Sequence, residues 1–139
     1  MSDRLYVDTS AYLCLLLGEE GSAPIANRLA QGRLHSSVLL VLEARRNLVR
    51  LARGGQIPPA KLNDLMERVR QDVEVFALKD LTMDLCSDPS LPAVTTPRSL
   101  DLAHLRTALW FHRREPLGGF VTLDEGQRQS ARELGLPVV

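Results

Sequence analysis

Four acidic side chains stand at positions where a carboxylate could take part in chemistry. Asp8 and Asp124 each follow a short apolar run of β-strand type. Glu43 comes directly after five consecutive apolar residues, and Asp101 lies in the first turn of a predicted helix. Carboxylates that converge without a counter-charge repel one another, and a divalent cation removes that repulsion. Because oxygen ligands without His or Cys suit hard cations, the four acids predict a Mg²⁺ or Mn²⁺ site.

Each of these acids also has a purely structural explanation. Aspartate is a favoured helix N-cap and turn residue, which would account for Asp8 and Asp124. Asp101 lies where the helix dipole favours an acid, and Glu43 has Arg46 one turn further along its helix as a partner for an ion pair. Sequence alone leaves these explanations open for each residue taken singly.

A magnesium ion held by carboxylates commonly serves phosphate chemistry, so such a site would hydrolyse phosphodiesters. Other α/β classes are disfavoured by what the chain lacks. A receiver domain or a haloacid-dehalogenase-type phosphatase would need a lysine late in the sheet, and the only lysines are Lys61 and Lys79. The phosphatase would also need Asp-x-Asp where this chain has Asp8-Thr9-Ser10. Neither G-x-G-x-x-G nor G-x-x-x-x-G-K-S/T occurs, which argues against dinucleotide and P-loop sites.

Strand and helix patterns alternate along the chain. The predicted strands are Leu5–Val7, Leu34–His35, Val73–Leu78, Phe120–Leu123 and Leu136–Val139. The predicted helices are Ala11–Leu17, one from Ser22 to Gly32, one capped by Ser36-Ser37 that runs to Arg53, one opened by Pro58-Pro59, a short one from about Leu81 to Ser87, one capped by Ser99 that covers Leu100–Arg114, and Gln127–Leu134. A loop with Pro89, Pro92 and Pro97 separates two of them. This pattern predicts an α/β fold with a mostly parallel sheet of about four to five strands between helices, whose ligands bind beyond the carboxyl ends of the strands.

The composition is that of one globular domain, residues 1–139. Apolar residues make up 45% and charged residues 24%, and 17 basic side chains balance 17 acidic ones, so a nucleic-acid partner must meet a local patch of charge. Cys14 and Cys86 each lie in an apolar stretch and are expected to be reduced core thiols, which favours a cytoplasmic protein. Apolar runs of at most seven residues are far short of the roughly twenty that cross a bilayer.

Four segments resemble, in order and spacing, the acidic motifs of PIN-domain nucleases. The segments are Tyr6–Leu13, Ser36–Arg46, Arg98–Ala108 and Phe120–Asp124. Within that superfamily the chain looks most like the toxins of virulence-associated (VapBC-type) toxin–antitoxin modules, and the resemblance extends to the closing segment Ala131–Val139. It implies a three-layer α/β/α PIN-like domain and a metal-dependent endoribonuclease, a hydrolase that cuts RNA with a metal-activated water.

The resemblance also implies roles for individual residues. Asp8 and Asp101 would be the central ligands of Mg²⁺ or Mn²⁺, and Glu43 and Asp124 would complete the shell. Ser10 and Thr122 match hydroxyl residues that support the site in the family. Glu125 stands beside Asp124, and Asp124 is preferred as the fourth acid because it directly follows the predicted strand.

The partners implied are an RNA substrate, a cognate antitoxin and a second copy of the chain. Leu48, Leu51, Trp110 and Phe111 could serve such interfaces or belong to the core. Arginines 45, 46, 50 and 53 could contact phosphates, an antitoxin tail or only solvent.

Two competing functions remain open on the sequence. One is a catalytically silent or stand-alone PIN domain that binds or processes RNA without an antitoxin. The other is metal-free acid–base catalysis by the histidines, among which His104 is the foremost candidate because it lies three residues after Asp101.

Overall fold

A four-stranded, all-parallel sheet forms the centre of the computed structural model, which describes residues 3–91, 94 and 98–139. Its strands are β1 (Asp3–Val7), β2 (Gly32–Ser37), β3 (Ala77–Lys79) and β4 (Gly119–Val121). The helices are α1 (Thr9–Leu17), α2 (Ser22–Ala30), α3 (Leu39–Arg53), α4 (Pro59–Val73), α5 (Met83–Ser87), α6 (Ser99–Arg114) and α7 (Glu125–Glu133). None of these helices is long and apolar enough to cross a membrane.

Two hydrophobic cores cover the two faces of the sheet. Alternate residues of β1 point to opposite faces, as strand geometry requires. Leu5 and Val7 pack with α1, α2, α3 and α4, whereas Tyr6 packs with α5, α6 and α7. All three side chains are fully buried, and burying a side chain of this size contributes about 1.5–3 kcal/mol. The predicted three-layer α/β/α class is therefore confirmed.

The sheet order is β3-β2-β1-β4, so the chain moves outward on one side of β1 and then returns to its other side. The strand order reverses between β1 and β4. In open parallel sheets, ligands bind beyond the carboxyl ends of the strands at such a switch point. Asp8 follows β1 directly, and Asp124 follows β4 after two more residues.

The third predicted strand was placed too early. The structure continues α4 through Val73 and begins β3 only at Ala77. Val73 stands four residues after Val69, so it extends the apolar face of the helix and packs against the core. Periodicity of the helix therefore outweighs the β-branched character of the segment.

The last two predicted strands are shorter than expected. Strand β4 ends at Val121, because the Thr122 hydroxyl bonds the Asp8 carboxylate and the Leu123 amide donates to Ser10 Oγ at 3.0 Å. The closing segment contributes a single parallel bridge, between Phe120 and Val138.

Several local predictions also needed correction. Helix α6 begins at Ser99 after Arg98, with no side-chain cap, so Ser99 is not the N-cap. Both cysteines are free, but only Cys14 is buried, because Cys86 lies on the exposed side of the short α5. Of the three loop prolines, Pro92 and Pro97 lie outside the described residues.

The apolar residues considered for interfaces are mostly internal. Leu48 and Phe111 are buried in the two cores, and Leu51 and Trp110 are half-buried. The four arginines of α3 at positions 45, 46, 50 and 53 are exposed.

His35 is expected to make the fold sensitive to mild acid. Its ring is buried against Phe111, and burial together with the Arg4 guanidinium lowers the pKa of His35. The unfolded imidazole, with a pKa of about 6.5, binds a proton before the folded one does. Its contribution to stability is thus complete above about pH 6.5 and is lost as pH falls toward the lower pKa of the folded state.

We therefore expect His35→Gln to flatten the dependence of the free energy of unfolding on pH between about pH 5 and pH 7. Urea unfolding of both proteins across that range measures the effect. Equal slopes for the two proteins would contradict it.

Candidate functional site

A cavity of about 190 Å³ opens at the switch point beyond the carboxyl ends of β1 and β4. All four acids predicted from the sequence line it, although they come from the β1–α1 junction, α3, α6 and the β4–α7 junction. The lining residues are Asp8, Thr9, Ser10, Leu13, Glu43, Asn47, Arg98, Asp101, His104 and Asp124. The fold thus brings the quartet to one place.

Asp8 is the most buried of the four acids, with 4% of the residue exposed. Its Oδ1 accepts hydrogen bonds from Ser10 Oγ at 2.7 Å and from the Ala11 amide at 3.1 Å, which makes Asp8 the N-cap of α1. Its Oδ2 accepts a short hydrogen bond from the Thr122 hydroxyl. Burial raises the pKa of Asp8, although these hydrogen bonds oppose the increase. The carboxylate is therefore held in one orientation, but its hydrogen bonds do not fully offset the cost of burying its negative charge.

Ser10 and Thr122 both support Asp8. Ser10 Oγ accepts from the Leu123 amide at 3.0 Å, and Thr122 Oγ1 accepts from the Asp124 amide at 3.1 Å. These contacts connect the buried acid to the turn that carries Asp124. The predicted supporting residues are thus found in contact with the predicted acids.

Replacing Thr122 by valine should remove this support without changing the shape of the side chain. Asp8 Oδ2 would lose its hydroxyl donor, and an unsatisfied buried polar group costs about 1–3 kcal/mol. We expect urea unfolding to record such a loss for Thr122→Val, relative to Thr122→Ser, which keeps the hydroxyl. Equal stability of the two variants would show that this hydrogen bond contributes little.

Glu43 is held by a network that the sequence did not predict. Its Oε1 accepts from Thr9 Oγ1 at 2.8 Å and lies 2.8 Å from His104 Nε2. The other ring nitrogen of His104 lies 2.7 Å from the hydroxyl of the fully buried Tyr6. Burial raises the pKa of Glu43, but His104, Thr9 and the charge of Arg46 together outweigh it and lower the pKa below its usual value. Glu43 is therefore kept ionised.

Asp101 and Asp124 line the same cavity, and the charge of Asp124 acts on Asp101. Burial is the largest cause of the raised pKa of Asp101, and the charges of Asp124 and Asp8 raise it further, against opposing effects of Arg98 and His104. Asp124 caps α7 by accepting from the Gln127 amide at 3.0 Å. Aspartate therefore serves as an N-cap and lines the site at both Asp8 and Asp124, so the two explanations do not exclude each other.

Glu125, the alternative fourth acid, points away from this cavity. Its carboxylate pairs with Arg128 at 2.6 Å and approaches Arg132 at 3.8 Å, and its side chain is 73% exposed. It is absent from the cavity lining that contains Asp124.

The three histidines have different environments. His104 lines the cavity and is 2% exposed, and its ring nitrogens lie within hydrogen-bond distance of Tyr6, Thr9 and Glu43. His35 lies in β2 with its ring against Phe111, and His112 accepts a hydrogen bond from the Leu117 amide at the end of α6. The only signal in the sequence that His104 lies at the acidic site was its position three residues after Asp101.

The donor set fits a hard divalent cation in its chemistry. Four carboxylates line the cavity wall, whereas Arg98 is the only lysine or arginine among the lining residues. Burial is the largest cause of the raised pKa values of Asp8 and Asp101, and neighbouring carboxylates raise that of Asp101 further; a bound cation would favour the ionised form of both. As they stand, no three His, Cys, Asp or Glu side chains among the described residues are close enough together to hold one ion. Binding would therefore require the carboxylates to move inward.

Comparison with known proteins adds no family assignment. No protein-family model matches the chain, and no curated protein matches it.

Proposed function

We propose that this chain is a Mg²⁺- or Mn²⁺-dependent endoribonuclease of the PIN type. The observation that carries the proposal is the convergence of Asp8, Glu43, Asp101 and Asp124 on one cavity at the switch point of a parallel sheet. The four motifs quoted from the sequence surround these acids in the order that the PIN resemblance requires. The choice of RNA as substrate rests on that resemblance.

In this mechanism Asp8 and Asp101 would be the central metal ligands, with Glu43 and Asp124 beside them. A bound divalent ion would supply an activated water and stabilise negative charge on the phosphate. Ser10 and Thr122 keep the Asp8 carboxylate in one orientation through hydrogen bonds to its two oxygens. Thr9 and His104 keep Glu43 ionised and directed into the cavity. Arg98 lines the same cavity and carries the charge that can meet a phosphate.

The test is cleavage of mixed total RNA by the purified protein with Mg²⁺ or Mn²⁺ and then with chelator. Asp101→Asn should abolish cutting, because it removes a carboxylate from the cavity. Glu125→Gln is the matched control, since it neutralises an exposed acid outside the cavity, and it should cut like the parent protein. Cleavage that survives both chelator and Asp101→Asn would reject the metal-nuclease proposal. An intact, folded protein that never cuts would favour the silent, RNA-binding alternative.

The proposed biological role is that of the toxin in a cytoplasmic toxin–antitoxin module. It predicts a small open reading frame that overlaps or abuts the gene for this chain. Its product should co-purify with this chain and inhibit cutting, and the purified chain should sediment as a dimer. Cutting that is unaffected by the product of every neighbouring frame would instead favour a stand-alone RNA-processing enzyme.

A further inference from the structure

A larger cavity, of about 560 Å³, lies between α5, the end of β3 and the second half of α6. Its lining includes Trp110, three basic residues and two aspartates. The basic residues are Lys79, Arg113 and Arg114, and the aspartates are Asp84 and Asp88. We refer to it as the Trp110 cavity, and none of its lining residues belongs to the acidic site.

Two cations gather on the single indole ring. The guanidinium carbon of Arg114 lies 3.5 Å from the centroid of the Trp110 ring, and Lys79 Nζ lies 4.9 Å from it. Both distances are within the range of cation–π attraction. Arg114 is exposed, so its guanidinium forms a flat, charged platform on top of the half-buried indole.

In the part of the chain that the structure describes, the basic side chains of this cavity form no ion pair. No carboxylate within the described residues lies within 4 Å of the charged groups of Lys79, Arg113 or Arg114. They donate instead to neutral oxygens: Lys79 to the Asp80 carbonyl, Arg114 to the Trp110 carbonyl, and Arg113 to Ser90. A free anion would therefore meet three basic groups without having to displace a carboxylate from any of them.

The acidic residues of the cavity offset only part of this charge. Asp88 Oδ1 accepts hydrogen bonds from both the amide and the hydroxyl of Ser90, at 2.8 and 2.7 Å. These bonds, with the charges of Arg113 and Arg106, lower the pKa of Asp88. Asp84 is the remaining acid, so three cations face two carboxylates, one of which is already engaged with a turn.

We propose that the Trp110 cavity binds one nucleotide of a single-stranded RNA. Its phosphate would meet Lys79 and Arg113, and its base would stack on the guanidinium platform that Arg114 forms over Trp110. Arginine planes and aromatic rings are the surfaces on which unpaired bases stack. A single such platform also fits a chain with only 4% aromatic residues.

The position of the cavity suits the proposed nuclease, on which this choice of ligand rests. Asp101 and Trp110 are both on α6, nine residues apart, which corresponds to about 14 Å along the helix axis and to opposite sides of the helix. A few nucleotides of extended RNA span that distance. A strand that runs around α6 would thus place a nucleotide in the Trp110 cavity a few positions from the cleaved bond, where it would contribute to the choice of target.

The test exploits the fact that Trp110 is the only tryptophan of the chain. A short single-stranded oligoribonucleotide is titrated into the Asp101→Asn protein in chelator, where no cutting is expected, and the tryptophan fluorescence is followed. We expect quenching that saturates, that weakens with added salt, and that is weakened about tenfold by Lys79→Gln or by Arg113→Gln. Lys61→Gln, which neutralises an exposed lysine on α4 outside both cavities, is the matched control and should bind like its parent.

Lys79→Gln keeps the proposal testable if Arg113→Gln disturbs the fold, because Arg113 also bonds the turn at Ser90. Saturable quenching that depends on Lys79 supports the cavity even if the parent protein cuts no RNA. If the parent protein cuts RNA but neither substitution changes the tryptophan quenching or the affinity for the oligoribonucleotide, the proposed role of the Trp110 cavity is wrong. The proposed nuclease activity would stand in that case. Quenching by an acidic peptide, with none by the oligoribonucleotide, also overturns it and indicates a protein partner.

Discussion

Asp8→Asn is expected to lower the rate of RNA cleavage by at least about a thousandfold. The reason is that Asp8 is the most deeply buried of the four acids and directly follows β1. An amide provides one neutral oxygen in place of a carboxylate and holds Mg²⁺ or Mn²⁺ poorly. Single-turnover cleavage assays with excess protein measure the effect. A loss of less than about tenfold would remove Asp8 from the proposed centre.

The same substitution should leave the protein as stable as before or more stable, provided that metal is absent. Burial raises the pKa of Asp8, so the ionised carboxyl is less favourable in the folded state than in the unfolded one. This penalty is present at neutral pH and disappears as the pH falls below the unfolded pKa of about 3.9. Asparagine avoids the penalty and can still accept the N-cap hydrogen bond from the Ala11 amide.

Thermal unfolding in chelator at neutral pH tests this expectation. Asp8→Asn should unfold at the same temperature as the parent protein or at a higher one. Lost activity together with retained stability would separate a functional residue from a structural one. A clear fall in the unfolding temperature would mean that Asp8 acts chiefly as a structural cap.

His104→Leu is expected to weaken both stability and cleavage. Leucine would leave the buried Tyr6 hydroxyl without its imidazole partner, and such a loss costs about 1–3 kcal/mol. Glu43 would lose one of the two groups that hold its Oε1, and changes to residues that orient metal ligands typically cost about 10–100-fold in activity. Urea unfolding measures the first effect, and cleavage rates at saturating metal measure the second.

Tyr6→Phe separates the two parts of this prediction. It removes the hydroxyl that bonds His104 but leaves the contact between His104 and Glu43 in place. We therefore expect Tyr6→Phe to lower the free energy of unfolding with little change in the rate of cleavage. Its effect on the free energy of unfolding should be smaller in a His104→Leu background, because both substitutions remove the same hydrogen bond. If His104→Leu also spared cleavage, His104 would be only a core residue.

The sequence predicts the positions of the acids well because local chemistry determines them. Asp8 and Asp124 follow strands and cap helices, and these are short-range patterns. The strand before Asp124 was less predictable, since β4 ends early where Thr122 bonds a residue far away in the chain. Val73 was assigned to a strand although it belongs to α4, because a single valine is compatible both with a strand and with the apolar face of a helix.

Contacts between distant segments account for what the sequence did not reveal. His104 and Glu43 are 61 residues apart, and Thr9 and Glu43 are 34 apart, so no spacing rule links them. The gathering of Lys79 and Arg114 on Trp110 likewise depends on how α6 crosses the end of β3. Such networks exist only once the layers of the fold have packed.

The central claim is that the four carboxylates form one divalent-cation centre, and calorimetric titration with Mn²⁺ tests it most directly. The parent protein and Glu125→Gln should bind Mn²⁺ with equal affinity, whereas Asp8→Asn and Asp101→Asn should each bind at least about tenfold more weakly. Equal binding by all four proteins, or no binding by the folded parent, would contradict the claim.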